Sequence, residues 1–117
     1  MVEAAYVPDR GHVVWLAFSP QAGHEQAGHR PGLVLSPRSY NAKTGMALLC
    51  PITSRVKGYP FEVVLPAAGA VTGVILADQN KSLDWRARRV RFESKAPARV
   101  VSEVFEKLAF LLDPNKS

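Results

Sequence analysis

Short apolar runs of five to seven residues recur along the chain: HVVWLAF (12–18), GLVLS (32–36), MALLCPI (46–52), FEVVL (61–65), GVILAD (73–78) and RRVRF (88–92). Each has the length of a strand, and most are rich in Val, Leu, Ile or aromatic residues. Turn-forming pairs punctuate them: Ser19-Pro20, Ala22-Gly23, Ser36-Pro37, Thr44-Gly45, the Lys57-Gly58-Tyr59-Pro60 stretch, and Ala68-Gly69. Five or six short strands at this spacing predict a compact antiparallel barrel or a strongly bent sheet, over about residues 10–92. The last segment changes period. After Pro97 come Val100, Val101, Val104, Phe105, Leu108, Leu111 and Leu112, the stripe of an amphipathic helix over about 97–113. Arg99, Ser102, Glu103, Glu106 and Lys107 take the other side, with Glu103 and Lys107 at the i, i+4 spacing of a helical ion pair. The helix is expected to lie on the barrel as a lid over one open end, with a partner surface as the other use of the stripe.

Composition narrows the class. The 117 residues fit one domain, 1–117, and 47% hydrophobic with 21% charged residues is a globular balance. No apolar run approaches the ~18 residues of a membrane span, and the opening MVEAAYVPDRG has no signal-peptide core, so a cytoplasmic location is expected. The single cysteine, Cys50, excludes an internal disulfide and a cysteine-rich zinc site. It is expected in the core rather than as a redox-sensitive thiol, and Trp15, within the 12–18 run, is expected there too. His12, His24 and His29 show no HxxxH or HExxH spacing, which argues against a histidine-built metal site. A net charge of +5 favours a polyanionic partner.

Two polar connections stand out, residues 19–31 and 53–60. Glu25, His29 and Arg30 cluster in the first. Arg30 precedes Pro31, which biases it to an extended backbone, and a guanidinium matches phosphate oxygens. The alternative for this loop is a solvated segment with an incidental ion pair. Thr53 opens the second connection, either as a turn hydroxyl bonding local backbone or as a donor to an anionic oxygen. Arg55 and Lys57 add charge there. Tyr59 is either a core-edge ring or a stacking platform for an unpaired base. Around Trp85, the arginines 86, 88, 89 and 91 would, on a strand, divide in pairs between two faces. Basic residues interleaved with aromatics suit single-stranded nucleic acid.

Longer motifs add to this reading. Tyr6-Val7-Pro8-Asp9, Glu25-Gln26-Ala27-Gly28-His29-Arg30-Pro31, Val34-Leu35-Ser36-Pro37, Lys43-Thr44-Gly45-Met46, Pro51 with Thr53, the run from Lys57 to Leu65, Leu76-Ala77-Asp78-Gln79 and Trp85-Arg86-Ala87-Arg88 together resemble the MazF/PemK family of toxin endoribonucleases. The resemblance is dense over residues 6–88 and weaker from 89 on. Ser54 stands where the family often has a second threonine, and residues 66–72 differ as well. The resemblance implies an SH3-like barrel with a C-terminal helix, a homodimer, and a MazE-like cognate antitoxin. It also implies cleavage of single-stranded mRNA at a short sequence, without metal or other cofactor, which inhibits translation. Arg30 and Thr53 carry over as the catalytic pair, Glu25 and His29 as neighbours with a role in the same site. Lys57, Tyr59, Arg55, Arg86 and Gln79 are the RNA-binding candidates. An arginine holds its proton and is a poor general base, so Glu25 or His29 is chemically better suited to move one. Two other classes remain: a non-catalytic SH3-like interaction module, and a toxin of the structurally similar CcdB group aimed at a DNA topoisomerase.

Overall fold

The structure, a computed structural model, describes residues 5–18, 29–113 and 115. Among them the elements run β1 (His12–Ala17), β2 (His29–Val34), α1 (Arg38–Thr44), β3 (Met46–Thr53), β4 (Glu62–Ala68), β5 (Val71–Leu76), a 3-10 turn (Ala77–Gln79), β6 (Lys81–Asp84), β7 (Arg91–Lys95) and α2 (Ala98–Leu112). The strands pair antiparallel in the order β4-β5-β3-β2-β1-β7, with β6 on β3. β3 is the hub. One edge pairs with β2; the other takes β6 along Met46–Leu49 and β5 at Ile52 and Thr53. A strand that serves two partners along one edge must bend, and the sheet curls into a half-barrel, the strongly bent form of the two that the sequence predicts.

Strand alternation sends side chains to two apolar clusters. Val13, Leu33, Leu35, Cys50, Ile52, Val63, Leu65 and Ile75 fill the concave interior, which Val100, Val101 and Val104 of α2 close. Val14, Leu16, Val34, Ala47, Leu49, Leu83 and Trp85 form the second, on the other face. The lid expectation therefore holds for α2 as far as Leu108, which packs against the same cluster. Beyond it Phe110, Leu111 and Leu112 are exposed. Lys107 reaches across from α2 and donates to the Pro60 carbonyl at 2.7 Å.

Three elements differ from the pattern along the chain. α1 is short and polar and has no apolar stripe to announce it. It is held through Asn41, fully buried, whose Nδ2 donates to the carbonyls of Pro8 (2.8 Å) and Ser36 (3.0 Å), while Trp85 Nε1 donates to the Asn41 carbonyl (3.0 Å). β6 is too short and polar to read as a strand. The 88–92 run is not a strand along its length. Residues 85–89 turn, because the Asp84 carboxylate accepts the backbone N–H groups of Arg86 (3.1 Å) and Ala87 (3.0 Å), and β7 starts only at Arg91. The arginine run therefore does not split between two strand faces. Arg88 instead donates through Nη1 to the carbonyls of Ala17 (2.8 Å) and Phe18 (2.7 Å), clamping the end of β1. Among the described residues no helix is long and apolar enough to cross a membrane.

Candidate active-site cleft

Arg30 and Thr53 meet through strand register. β2 and β3 pair Val34 with Leu49, Leu33 with Cys50 and Gly32 with Pro51. Carried two residues further, the same register sets Arg30 opposite Thr53. Both line a cleft of about 360 Å³ at this end of the sheet, together with Trp15, Arg55, Ala70 and Thr72. Arg30 is exposed.

Local bonds fix the Thr53 end. Its Oγ1 accepts the backbone N–H of Arg55 at 3.1 Å. The turn role and the donor role are thus compatible: one lone pair serves the backbone, and the hydroxyl proton can still donate. β5 presses on the same place. Gly73 has φ +132°, and a Cβ there would overlap the Thr53 carbonyl oxygen and lie 2.9 Å from its carbon. Only glycine lets β5 run this close.

The 53–60 loop is tethered by Glu62, whose carboxylate accepts the N–H groups of Lys57 (3.2 Å) and Gly58 (2.9 Å). Lys57 Nζ stands 5.8 Å from the centre of the Tyr59 ring, and Tyr59 is 60% exposed, so it is not a core-edge residue. Arg55 lines the cleft directly. Arg86 does not. It lies over the Trp85 ring (4.7 Å to the centroid) and donates to the Ala42 carbonyl of α1, near the opposite end of β3. Gln79 is exposed in the 3-10 turn, beside the middle of β3. His29, half-buried, opens β2 next to Arg30. Glu25 lies outside the described residues.

The opposite wall was not legible along the chain. Trp15 is half-buried and faces the cleft instead of lying wholly in the core. Its Nε1 donates to Glu93 Oε1 at 2.9 Å, and Glu93 Oε2 accepts the Ala70 N–H at 2.7 Å. The Ala70 N–H, then the Trp15 indole, then Arg91 hold the Glu93 carboxyl below its ordinary range. A glycine inside the 73–78 run is a readable sign of close backbone approach; Glu93 gives none, because its partners are distant in sequence.

Two other titratable groups are structural. Cys50 is fully buried, and desolvation, with Asp78 nearby, pushes its thiol up to about 12. His12 lines a larger hollow of about 530 Å³ at the far end of β1, with Tyr6, Arg38 and Phe92. Among the described residues no group of three or more His, Cys, Asp or Glu side chains is placed to hold a metal ion.

The profile of the PemK-like, MazF-like toxins of type II toxin–antitoxin systems matches residues 9–112. The endoribonuclease toxin MazF of Escherichia coli K12 is 60% identical over 83 residues, 71% of this chain and 74% of that protein. The crystal structure of MazF from Deinococcus radiodurans superposes with a TM-score of 0.83 at 62% identity, covering 92% of this chain and 98% of that one. A MazE–MazF crystal structure from the same organism gives a TM-score of 0.83 at 55% identity, covering 93% and 98%.

Proposed function

The chain belongs to the PemK-like, MazF-like toxin family of type II toxin–antitoxin systems, and from that premise we propose that it is an endoribonuclease that cuts single-stranded RNA in the Arg30–Thr53 cleft. The observation that supports this reading is that Arg30 and Thr53, on strands that pair antiparallel, line one cleft.

RNA brings its own nucleophile. The 2′-oxygen attacks the adjacent phosphorus and loses its proton, the 5′-oxygen leaves and gains one, and the ends are a 2′,3′-cyclic phosphate and a 5′-hydroxyl. Aligning attacking and leaving oxygens removes much of the barrier. Negative charge builds on the non-bridging oxygens, where Arg30 and the Thr53 hydroxyl act as donors; in many enzymes such stabilisation lowers the barrier more than any other effect. The guanidiniums of Arg30 and Arg55 attract phosphate and repel a divalent cation, so the cleft suits a metal-independent reaction. His29 or Glu25 moves the proton. Tyr59 stacks on a base and Lys57 and Arg55 neutralise backbone charge, which lets the 53–60 loop contribute to sequence preference. DNA lacks the attacking oxygen and resists. Cutting mRNA stops translation, and a cytoplasmic setting fits both that target and a single buried thiol.

The crystallised MazE–MazF assemblies of the Deinococcus protein support a MazE-like antitoxin as partner for this chain. An acidic segment would cover the basic cleft and compete with RNA. The exposed Phe110, Leu111 and Leu112 offer apolar area for a homodimer.

The decisive experiment incubates the protein with a pool of single-stranded RNA oligomers in excess EDTA and maps the ends. Cuts at a recurring short sequence with cyclic phosphate ends are expected. RNA left intact with and without chelator would return the protein to the interaction-module or topoisomerase-directed class.

A further inference from the structure

In β7 the pairing with β1 skips a residue: Val13 faces Ser94 and Val14 faces Phe92, so Glu93 is the extra residue of a β-bulge. Bulges re-aim a side chain, and this one aims a carboxylate at two groups of the cleft wall. One is the Trp15 indole N–H; the other is the Ala70 N–H in the turn between β4 and β5. The β4–β5 ladder shifts register between Leu65 and Ala68 and closes with Ala68 opposite Val71, so the carboxylate adds a hold on the turn from outside its own hairpin. Gly69 there has φ +64°, and a Cβ on it would overlap Glu93 Oε2 and lie 3.1 Å from Cδ. Turn and carboxylate are fitted to each other.

Resting on the endoribonuclease reading, we propose that Glu93 is a positioning residue for RNA: it joins the Trp15 ring to the 69–70 turn and the start of β5 as one wall of the Arg30–Thr53 cleft, against which the nucleotide next to the scissile phosphate is seated. Each carboxylate oxygen is engaged by a protein donor, and the role assigned to Glu93 is to hold the wall, with no contact to a reacting atom. Its loss loosens the seat and leaves the charge-stabilising pair in place. Such a residue acts on substrate affinity more than on the chemical step.

The test measures kcat and KM separately on one single-stranded RNA oligomer that the parent protein cuts. Glu93→Ala is expected to raise KM about tenfold with kcat within about threefold. Glu93→Gln keeps the shape with one acceptor oxygen instead of two, and its KM should fall between parent and Ala. Trp15→Phe, which removes the indole N–H, should raise KM in the parent but add little to Glu93→Ala, since both break one link. If Glu93→Ala fails to fold, the Gln and Phe variants decide by the same readouts. A parental KM in either Glu93 variant, a fall in kcat with KM unchanged, or multiplying effects of the Trp15 and Glu93 changes would overturn the inference. A parent protein that cuts no RNA overturns the endoribonuclease reading with it; a parent that cuts, beside Glu93 variants that match it, overturns this inference alone.

Discussion

Replacing Gly73 by alanine puts a methyl group into the Thr53 carbonyl without touching any side chain of the cleft. Non-bonded carbon–oxygen contacts settle at about 3.3–3.6 Å, so β5 and the end of β3 must part by roughly 1 Å. The backbone at φ +132° adds strain of roughly 1–3 kcal/mol for any L side chain. A domain with about 5–15 kcal/mol in hand survives that. The cost to function falls on the rate, because a 1 Å displacement of a reacting constellation can lower it by about 100-fold. That is about 2.7 kcal/mol of transition-state stabilisation. The assay is single-turnover cleavage of an RNA oligomer, at a temperature where a melting curve shows the variant fully folded. A folded Gly73→Ala protein that cuts at the parental rate would refute the claim that β5 positions Thr53 for the reaction.

Arg30→Ala should lower kcat by at least ~100-fold in the same assay, and a smaller loss would move the charge-stabilising role elsewhere. The pH–rate profiles of Glu25→Gln and His29→Ala identify the proton carrier; if both keep the parental profile, neither is it. Asn41→Ala leaves the buried Pro8 carbonyl without its donor and should cost roughly 2–4 kcal/mol in urea unfolding, with a value under 1 arguing that α1 is held by other contacts. His12 accepts the Asp9 N–H at Nδ1 (3.3 Å) and also bonds the Tyr6 hydroxyl (2.7 Å); burial, with Arg38 and Lys95, lowers its pKa despite the opposing Asp9 charge. The fold therefore favours the neutral ring. Stability is full above the ordinary value of 6.5 and is lost as pH falls from there through the lowered value. Urea midpoints at pH 7.5 and 5 measure this, and His12→Asn should flatten the difference. The Cys50 thiol, raised to about 12, should react with iodoacetamide at pH 8 at least ~100-fold more slowly in the folded than in the unfolded protein.

Much of the molecule is local physics and was open to reading along the chain. β1, β3, β4 and β5 follow from short apolar runs between turn pairs, and α2 from its stripe of Val100, Val104 and Leu108. The extended backbone of Arg30 follows from Pro31, and a strand glycine such as Gly73 signals a close approach. What stayed hidden depends on partners far away in sequence. α1 exists because Asn41 bonds Pro8, Ser36 and Trp85, and the 85–89 turn exists because Asp84 outcompetes a strand ladder for two N–H groups. Glu93 is one acidic residue among ten until the bulge of β7 brings it to Trp15 and Ala70, seventy-eight and twenty-three positions away. Periodicity reports which face a residue prefers. It carries no information on which distant donor will meet a carboxylate, since that is settled only when the sheet has curled and the two ends of the barrel wall are in contact.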